Sequence, residues 1–279
     1  VVRQLAHVEQ VVAHALATDD VDLVRAGEHL VGRVRVPCLT TTTDHVDVEL
    51  GDDLVQRHRR VVGEITAAAL AQVFDGASAM KLVRARGLAM AQAANGTETG
   101  MSAVLGGERD EVIGALTELG LTAANENGAG QIVAAGSLAA LSKLAENPPT
   151  GARVRPLAVS GAFHTSTMAP AVTELALIAA RTEVKDAVQP VISNKDGAVV
   201  SEGREILDRI VGQIAGPVRW DLCMQTLTKC GVTGVIEIPP AGTLVGLVKR
   251  AEPSIETFAL KTPEDIPAAR EFIAKHGAN

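Results

Sequence analysis

His164 stands in the run Ser160-Gly161-Ala162-Phe163-His164-Thr165-Ser166-Thr167-Met168-Ala169-Pro170, where small residues mark a turn between a strand and a helix. α/β enzymes present reactive groups at such strand-to-helix junctions, and an imidazole placed there can serve as a general base near neutral pH. The plain alternative is a structural histidine; position and neighbours favour the base. His276 is the only other histidine beyond residue 60, and it falls in the tail. His7, His14, His29, His45 and His58 all lie within residues 1–60, at spacings that no zinc pattern uses. Cys38, Cys223 and Cys230 likewise lack metal-ligand spacing and suit a reducing compartment. There is no G-x-x-x-x-G-K-[ST] loop and no H-E-x-x-H. Gly128-Ala129-Gly130 with Val133 fails as a dinucleotide fingerprint, and Gly76-Ala77-Ser78-Ala79-Met80 fails as a nucleophile elbow at its last position. Ser160 and Ser166 flank His164 but are expected to point away from a shared pocket. No metal and no cofactor is expected.

The elements that must position His164 can be traced from residue 62 onward. Residues 63–73 and 77–94 carry helical apolar spacing rich in Ala, Leu and Met. Residues 101–105 read as a strand, 108–119 as a helix stopped by Gly120, and 121–125 and 131–135 as strands around an Asn127-Gly128 turn. Ser137 is placed to cap a helix reaching residue 144, and a strand over 154–159 follows the Pro148-Pro149 break. Residues 98–160 thus follow the order β-α-β-β-α-β, the ferredoxin-like pattern, inserted in a larger α/β chain. Beyond it the pattern predicts helices over 166–182, 203–214, 221–230 and 243–250, and one from residue 263. Strands are predicted over 190–193, 235–238 and 257–260. This alternation predicts a mostly parallel, hydrolase-like sheet covered by helices, formed by 61–97 and 161–279.

Composition limits what such a chain can bind. Its 279 residues carry 26 Lys+Arg against 33 Asp+Glu, a net charge of −7, which argues against nucleic acid held by counterion release. One Trp, four Phe and no Tyr leave little for base stacking. No apolar run is long enough for a membrane span. A cytoplasmic, monomeric enzyme is expected.

Residues 1–60 differ in kind from the rest. They contain no Ser, Lys, Asn, Ile, Met or Phe. Apart from Thr and Cys38, every residue type used there can be encoded by a triplet beginning with G or C. An out-of-frame or misjoined stretch of a GC-rich gene would read this way, and residues 1–60 are expected to lack a regular first strand and to pack poorly.

From residue 62 to the C-terminus the chain resembles the malonyl-CoA:acyl-carrier-protein transacylases. The resemblance rests on several motifs in order: Val62-Gly63-Glu64-Ile65-Thr66-Ala67-Ala68, Arg84-Ala85-Arg86-Gly87-Leu88-Ala89-Met90, Asn125-Glu126-Asn127-Gly128-Ala129-Gly130-Gln131, Gly161-Ala162-Phe163-His164, Ser193-Asn194-Lys195-Asp196-Gly197, Gly216-Pro217-Val218-Arg219-Trp220 and Glu237-Ile238-Pro239-Pro240-Ala241-Gly242. It implies a two-step acyl transfer with malonyl-CoA as substrate and acyl carrier protein as partner. A serine in a G-H-S-V-G elbow takes the malonyl group, and a histidine moves the protons. By this resemblance His164 is the base, the Gln213 backbone carbonyl orients it, and Asn194 lies in the loop beside it. Arg86 grips the free carboxylate with its guanidinium fork. Asn127 is a polar contact near the substrate, against the bland reading of a left-handed turn residue. Phe163 resembles the bulky residue that leaves no room for an α-methyl group.

The elbow departs from the pattern. Arg59-Arg60-Val61-Val62-Gly63 places Val61 where the nucleophilic serine belongs. The Gly-Gln-Gly motif of the N-terminal region is absent, so the backbone N–H of Val62 is what remains of the expected oxyanion hole. The alternative reading is a catalytically dead fragment or pseudoenzyme that at most binds coenzyme A or the carrier protein.

Overall fold

A computed structural model describes residues 63–159, 161–238 and 241–277. Helix α1 (Gly63–Leu70) and the long α2 (Gly76–Ala94) open the described chain. Asp75 caps α2 by accepting the Ser78 N–H at 2.6 Å. A compact βαββαβ unit follows: β1 (Thr99–Gly106), α3 (Arg109–Glu118), β2 (Thr122–Gly128), β3 (Gln131–Ser137), α4 (Leu138–Glu146) and β4 (Ala152–Pro156). Next come a 3₁₀ turn (Ser166–Met168), α5 (Ala169–Ala179), β5 (Val191–Ile192), β6 (Val199–Val200), α6 (Gly203–Gly212) and a second 3₁₀ turn (Gln213–Ala215). The described chain ends with β7 (Val218–Arg219), α7 (Trp220–Lys229), β8 (Gly234–Glu237), α8 (Thr243–Ala251), β9 (Glu256–Ala259) and α9 (Ile266–His276).

The βαββαβ unit is ferredoxin-like in its strand order as well as its sequence order. Its sheet runs β4-β1-β3-β2 with antiparallel neighbours, and β7 adds a parallel edge beside β2. Side chains alternate across a strand, so β3 serves two cores at once. Ile132 and Ala134 join Val112, Leu116, Leu141 and Leu144 under the insert's own helices. Val133 and Ala135 face the larger core with Ile65, Leu82, Met90, Phe163 and Leu175. A sheet wet on one face would not bury both sets; this one is clamped between its helices and the rest of the molecule. A third cluster packs Trp220, Met224 and Leu227 against Leu247, Val248 and Ile255 beneath β8 and β9.

The fold is α/β with a ferredoxin-like insert, as expected, and three details differ from the sequence reading. Parallel pairing among the described residues is confined to β8 with β9 and to β2 with β7, while β5 and β6 form an antiparallel pair. The β2–β3 hairpin turns at Ala129-Gly130, not at Asn127-Gly128; Gly128, Ala129 and Gly130 all have positive φ, and Asn127 remains in the strand, buried. β4 ends at Pro156, earlier than 154–159, and Leu157 then bonds back to the Met101 carbonyl. The expectation for residues 1–60, with the positions of Val61, Val62 and Ser160, lies outside the described residues. Among the described residues no helix is long and apolar enough to cross a membrane.

Candidate functional site

His164 precedes the 3₁₀ turn that leads into α5, and its backbone is left-handed, at φ 59°. A non-glycine residue pays strain in that region and stays there only when its surroundings hold it. Here the Thr165 hydroxyl donates to the Ala162 carbonyl at 2.7 Å, and the side chain of His164 is buried at 3% exposure. Imidazole Nδ1 lies 2.9 Å from the Gln213 carbonyl oxygen. A carbonyl only accepts, so this contact places the proton on Nδ1 and leaves Nε2 with its lone pair. Burial, and then the positive charge of Arg86, push the pKa of His164 down to about 4; the backbone at Gln213 and Gly216 pulls the other way. The ring is neutral at physiological pH, the form a proton acceptor needs.

Arg86 occupies the inner face of α2, 3% exposed, between the buried residues Leu82 and Met90. Burial lowers its pKa to about 10, against the attraction of Glu64. An ionised guanidinium at this depth keeps its proton only beside anions. Among the described residues the carboxylate whose charge acts on it is Glu64, in the first turn of α1 and 4% exposed. Burial raises the Glu64 carboxyl to about 7, although the Asn194 N–H, the Ser193 hydroxyl and the charges of Arg86 and Arg209 lower it. Glu64 Oε1 accepts the Asn194 N–H at 3.1 Å across 130 residues of chain.

Asn194 is 1% exposed, and its carbonyl accepts the Arg219 N–H at 2.7 Å, which passes the connection to β7. Cys223 Sγ sits 3.7 Å from Asn194 Oδ1 and 3.4 Å from the Ser193 carbonyl. Phe163 packs in the main core beside Ala94 and Met90. A Cβ on Gly161 would come within 2.8 Å of the Ala94 Cβ and 3.3 Å of the Phe163 ring, so only glycine lets α2 and that ring close on each other.

The structure therefore buries Arg86, His164, Gln213 and Asn194 in one region: His164 is bonded to the Gln213 carbonyl and feels the charge of Arg86, and Asn194 is linked through Glu64, while Phe163 packs in the adjoining core. No described contact joins Asn127 to them; it is buried in β2, next to Glu126. Ser166 is exposed, whereas His164 is buried. Glu64 is the residue that the sequence reading missed. Its signal is faint: an acidic residue in a first helical turn ordinarily favours the helix dipole from a solvated position, and only the surrounding Ile65, Ala67 and Ala68 hint that this face is buried. Among the described residues no group of His, Cys, Asp and Glu is assembled to hold a metal ion.

No family model matches the chain. Individual proteins do. The chain is 49% identical over 205 residues to the malonyl CoA-acyl carrier protein transacylase of Mycobacterium tuberculosis, covering 74% of this chain and 68% of that protein. To the Bacillus subtilis protein of the same name it is 35% identical over 227 residues, covering 78% of this chain and 71% of the relative. Among solved structures, the M. tuberculosis enzyme superposes with a TM-score of 0.72 at 48% identity, covering 74% of this chain and 68% of that one. A type II polyketide acyl-carrier protein in complex with its malonyl-transacylase matches with a TM-score of 0.72 at 29% identity, covering 75% and 70%.

Proposed function

The chain belongs to the malonyl-CoA:acyl-carrier-protein transacylases, and from that premise we propose that its buried constellation serves malonyl transfer from coenzyme A to the pantetheine thiol of an acyl carrier protein. The observation that carries the reading is the placement of a neutral His164, fixed on the Gln213 carbonyl, within the electrostatic reach of a buried Arg86. Malonyl thioesters end in a free carboxylate, and a desolvated guanidinium is the side chain suited to hold one. Held there, the thioester carbonyl is presented to the face where His164 Nε2 can take a proton from an attacking hydroxyl or thiol. Phe163, locked against Gly161, fits the exclusion of an α-methyl substituent, and Asn194 and Asn127 supply polar walls. Fatty-acid or polyketide supply is the setting that fits this chemistry.

The sequence also favours a second reading, because Val61 stands at the position of the nucleophile. A valine cannot form the acyl ester, and loss of a nucleophile costs on the order of 10⁴–10⁶ in turnover. A chain with this elbow would bind malonyl-CoA without transferring it. Labelling with radioactive malonyl-CoA separates the readings. The protein as given should take up no covalent label, and rebuilding the Gly-His-Ser-Val-Gly elbow with its N-terminal strand should restore stoichiometric ester. Stoichiometric label on the unaltered protein, mapped away from residue 61, would overturn the second reading and identify another nucleophile for the first.

A further inference from the structure

Gln213 meets His164 through its backbone alone. Its carbonyl accepts from His164 Nδ1 at 2.9 Å and from the Gly216 N–H at 3.1 Å, which uses both lone pairs. Any residue type with the same backbone would make these two contacts. The side chain is a separate matter. Gln213 is 4% exposed, and its amide nitrogen Nε2 is buried with no hydrogen-bond partner among the described residues. A buried amide donor without a partner destabilises a fold, and an apolar side chain of the same shape would remove that cost. Neither the packing nor the hold on His164 therefore calls for a glutamine here, whereas a bound acceptor would.

The surroundings connect this donor with the helix of Arg86. The second 3₁₀ turn, which opens with Gln213, packs on the first 3₁₀ turn, and the first packs on α2. Leu82 and Met90, on either side of Arg86, share one apolar core with Val211 and Ile214, on either side of Gln213. A carboxylate offers about four lone-pair sites, and a guanidinium fork fills one on each oxygen. The remaining sites need donors once water is excluded. A second cation would fill them at the expense of the base, because more positive charge beside His164 weakens its hold on a proton. A neutral amide N–H fills one without adding charge. By the motif resemblance the thioester oxygen falls to the backbone N–H of Val62, so the carboxylate is the end of the substrate short of donors. Resting on the reading of Arg86 as the malonyl clamp, we propose that Gln213 has two separate functions: its backbone carbonyl orients His164, and its side-chain Nε2 donates to the free carboxylate of the malonyl group beside the Arg86 fork. Gln213 is then a specificity-determining residue, since an acetyl thioester has no oxygen to offer the amide.

Gln213→Met keeps the backbone and the length of the side chain and removes the donor, so it separates fold from function. The free full-length variant should melt at the same temperature as wild type or higher. Its affinity for malonyl-CoA, measured by calorimetric titration, should fall by roughly 10- to 100-fold, as expected for a lost hydrogen bond to a charged group. Its affinity for acetyl-CoA should be unchanged. A second measurement needs no variant: in isotopically labelled wild type, the Gln213 side-chain amide resonances should shift on adding malonyl-CoA and stay in place on adding acetyl-CoA. Malonyl-CoA affinity kept in Gln213→Met, or an equal loss for both thioesters, overturns the inference and leaves the clamp standing. If Gln213→Met does not fold, the wild-type resonances decide, and equal shifts with both thioesters, or none with malonyl-CoA, overturn the inference. Wild type that binds malonyl-CoA no more tightly than acetyl-CoA overturns the clamp reading and this inference with it.

Discussion

At the seam between the insert and the C-terminal half, Arg109 reaches Glu126 at 2.7 Å and Asp110 at 2.8 Å, while Arg219 forks onto Asp221 at 2.7 and 2.9 Å and approaches Glu126 at 3.5 Å. Water reaches the guanidiniums, with the side chain of Arg109 54% exposed and that of Arg219 24% exposed, although the Glu126 side chain they share is only 11% exposed. Around His164 the same two chemical groups, a carboxylate and a guanidinium, are sealed. The seam has short, well-aligned pairs whose net worth is small, because solvent screens them and the side chains lose freedom in pairing. The buried centre commits its charges to a medium that holds them only as long as each has its partner. Distance alone therefore misranks the two. A 2.7 Å pair at the surface is mainly a fastener, whereas buried charges without ideal contacts set the protonation of everything near them.

The largest effect should come from removing one buried charge. Arg86→Met should cost about 3–5 kcal/mol in urea unfolding above pH 7, because it strands an ionised Glu64. The cost should shrink as the pH falls below that value and Glu64 protonates. A cost independent of pH would break the comparison.

Next come the pH slopes. Glu64 has a folded pKa raised from 4.5 to about 7, so between those values the native state holds a proton that the unfolded chain has released. Stability therefore falls as pH rises through the window, by about 3 kcal/mol in all. His164 has a folded pKa lowered from 6.5 to about 4, so its contribution is present above the unfolded value and is lost on acidification, again by about 3 kcal/mol. Where the windows overlap the two slopes cancel. Glu64→Gln should expose the His164 slope, with stability rising with pH, and His164→Gln should expose the opposite one. Parallel stability profiles for wild type and both variants would show that neither group is sealed as described.

A smaller effect tests the packing. Gly161→Val should destabilise by about 1–3 kcal/mol, since the new side chain drives into Ala94 and the Phe163 ring. The smallest belongs to the seam: Arg109→Ala should cost no more than about 1 kcal/mol, and less at high salt. A loss as large as that of Arg86→Met would erase the distinction between the two regions.

The insert was legible in the sequence because its information is local. The short apolar runs of β1 and β3, the Gly120 stop and the Ser137 cap each act within a few residues. Ser137 does accept the Ala140 N–H, at 3.2 Å. The hairpin was misplaced because Asn-Gly is a strong local turn signal, whereas β2 continues through Asn127 to pair Gly128 with Gln131. Pairing and burial outweighed turn propensity there. His164 was singled out by its place at a strand-to-helix turn, and Gln213, Arg86 and Asn194 by motif resemblance. Glu64 was not, because its role depends on a loop 130 residues away, and no window of sequence contains that contact. The Arg109–Glu126 and Arg219–Asp221 pairs escaped for a related reason: they arise where β7 docks on β2, a pairing that neither segment announces.

That docking has a mechanical meaning. The chain enters the insert before β1 and leaves it after β4, and β1 and β4 are neighbours in the sheet. Two tethers side by side define an axis, and a body held only by them can swing like a door. The pairing of Asn125 with Val218 and of Glu126 with Arg219 fixes the opposite edge of the sheet, three strands away from β4. A third anchor off the axis removes the swing. Arg219, which pairs with Glu126 in this latch, gives its own N–H to the Asn194 carbonyl. The insert's outer edge is thus tied through Arg219 to the loop beside Glu64, and that loop shares the rigidity of the sheet.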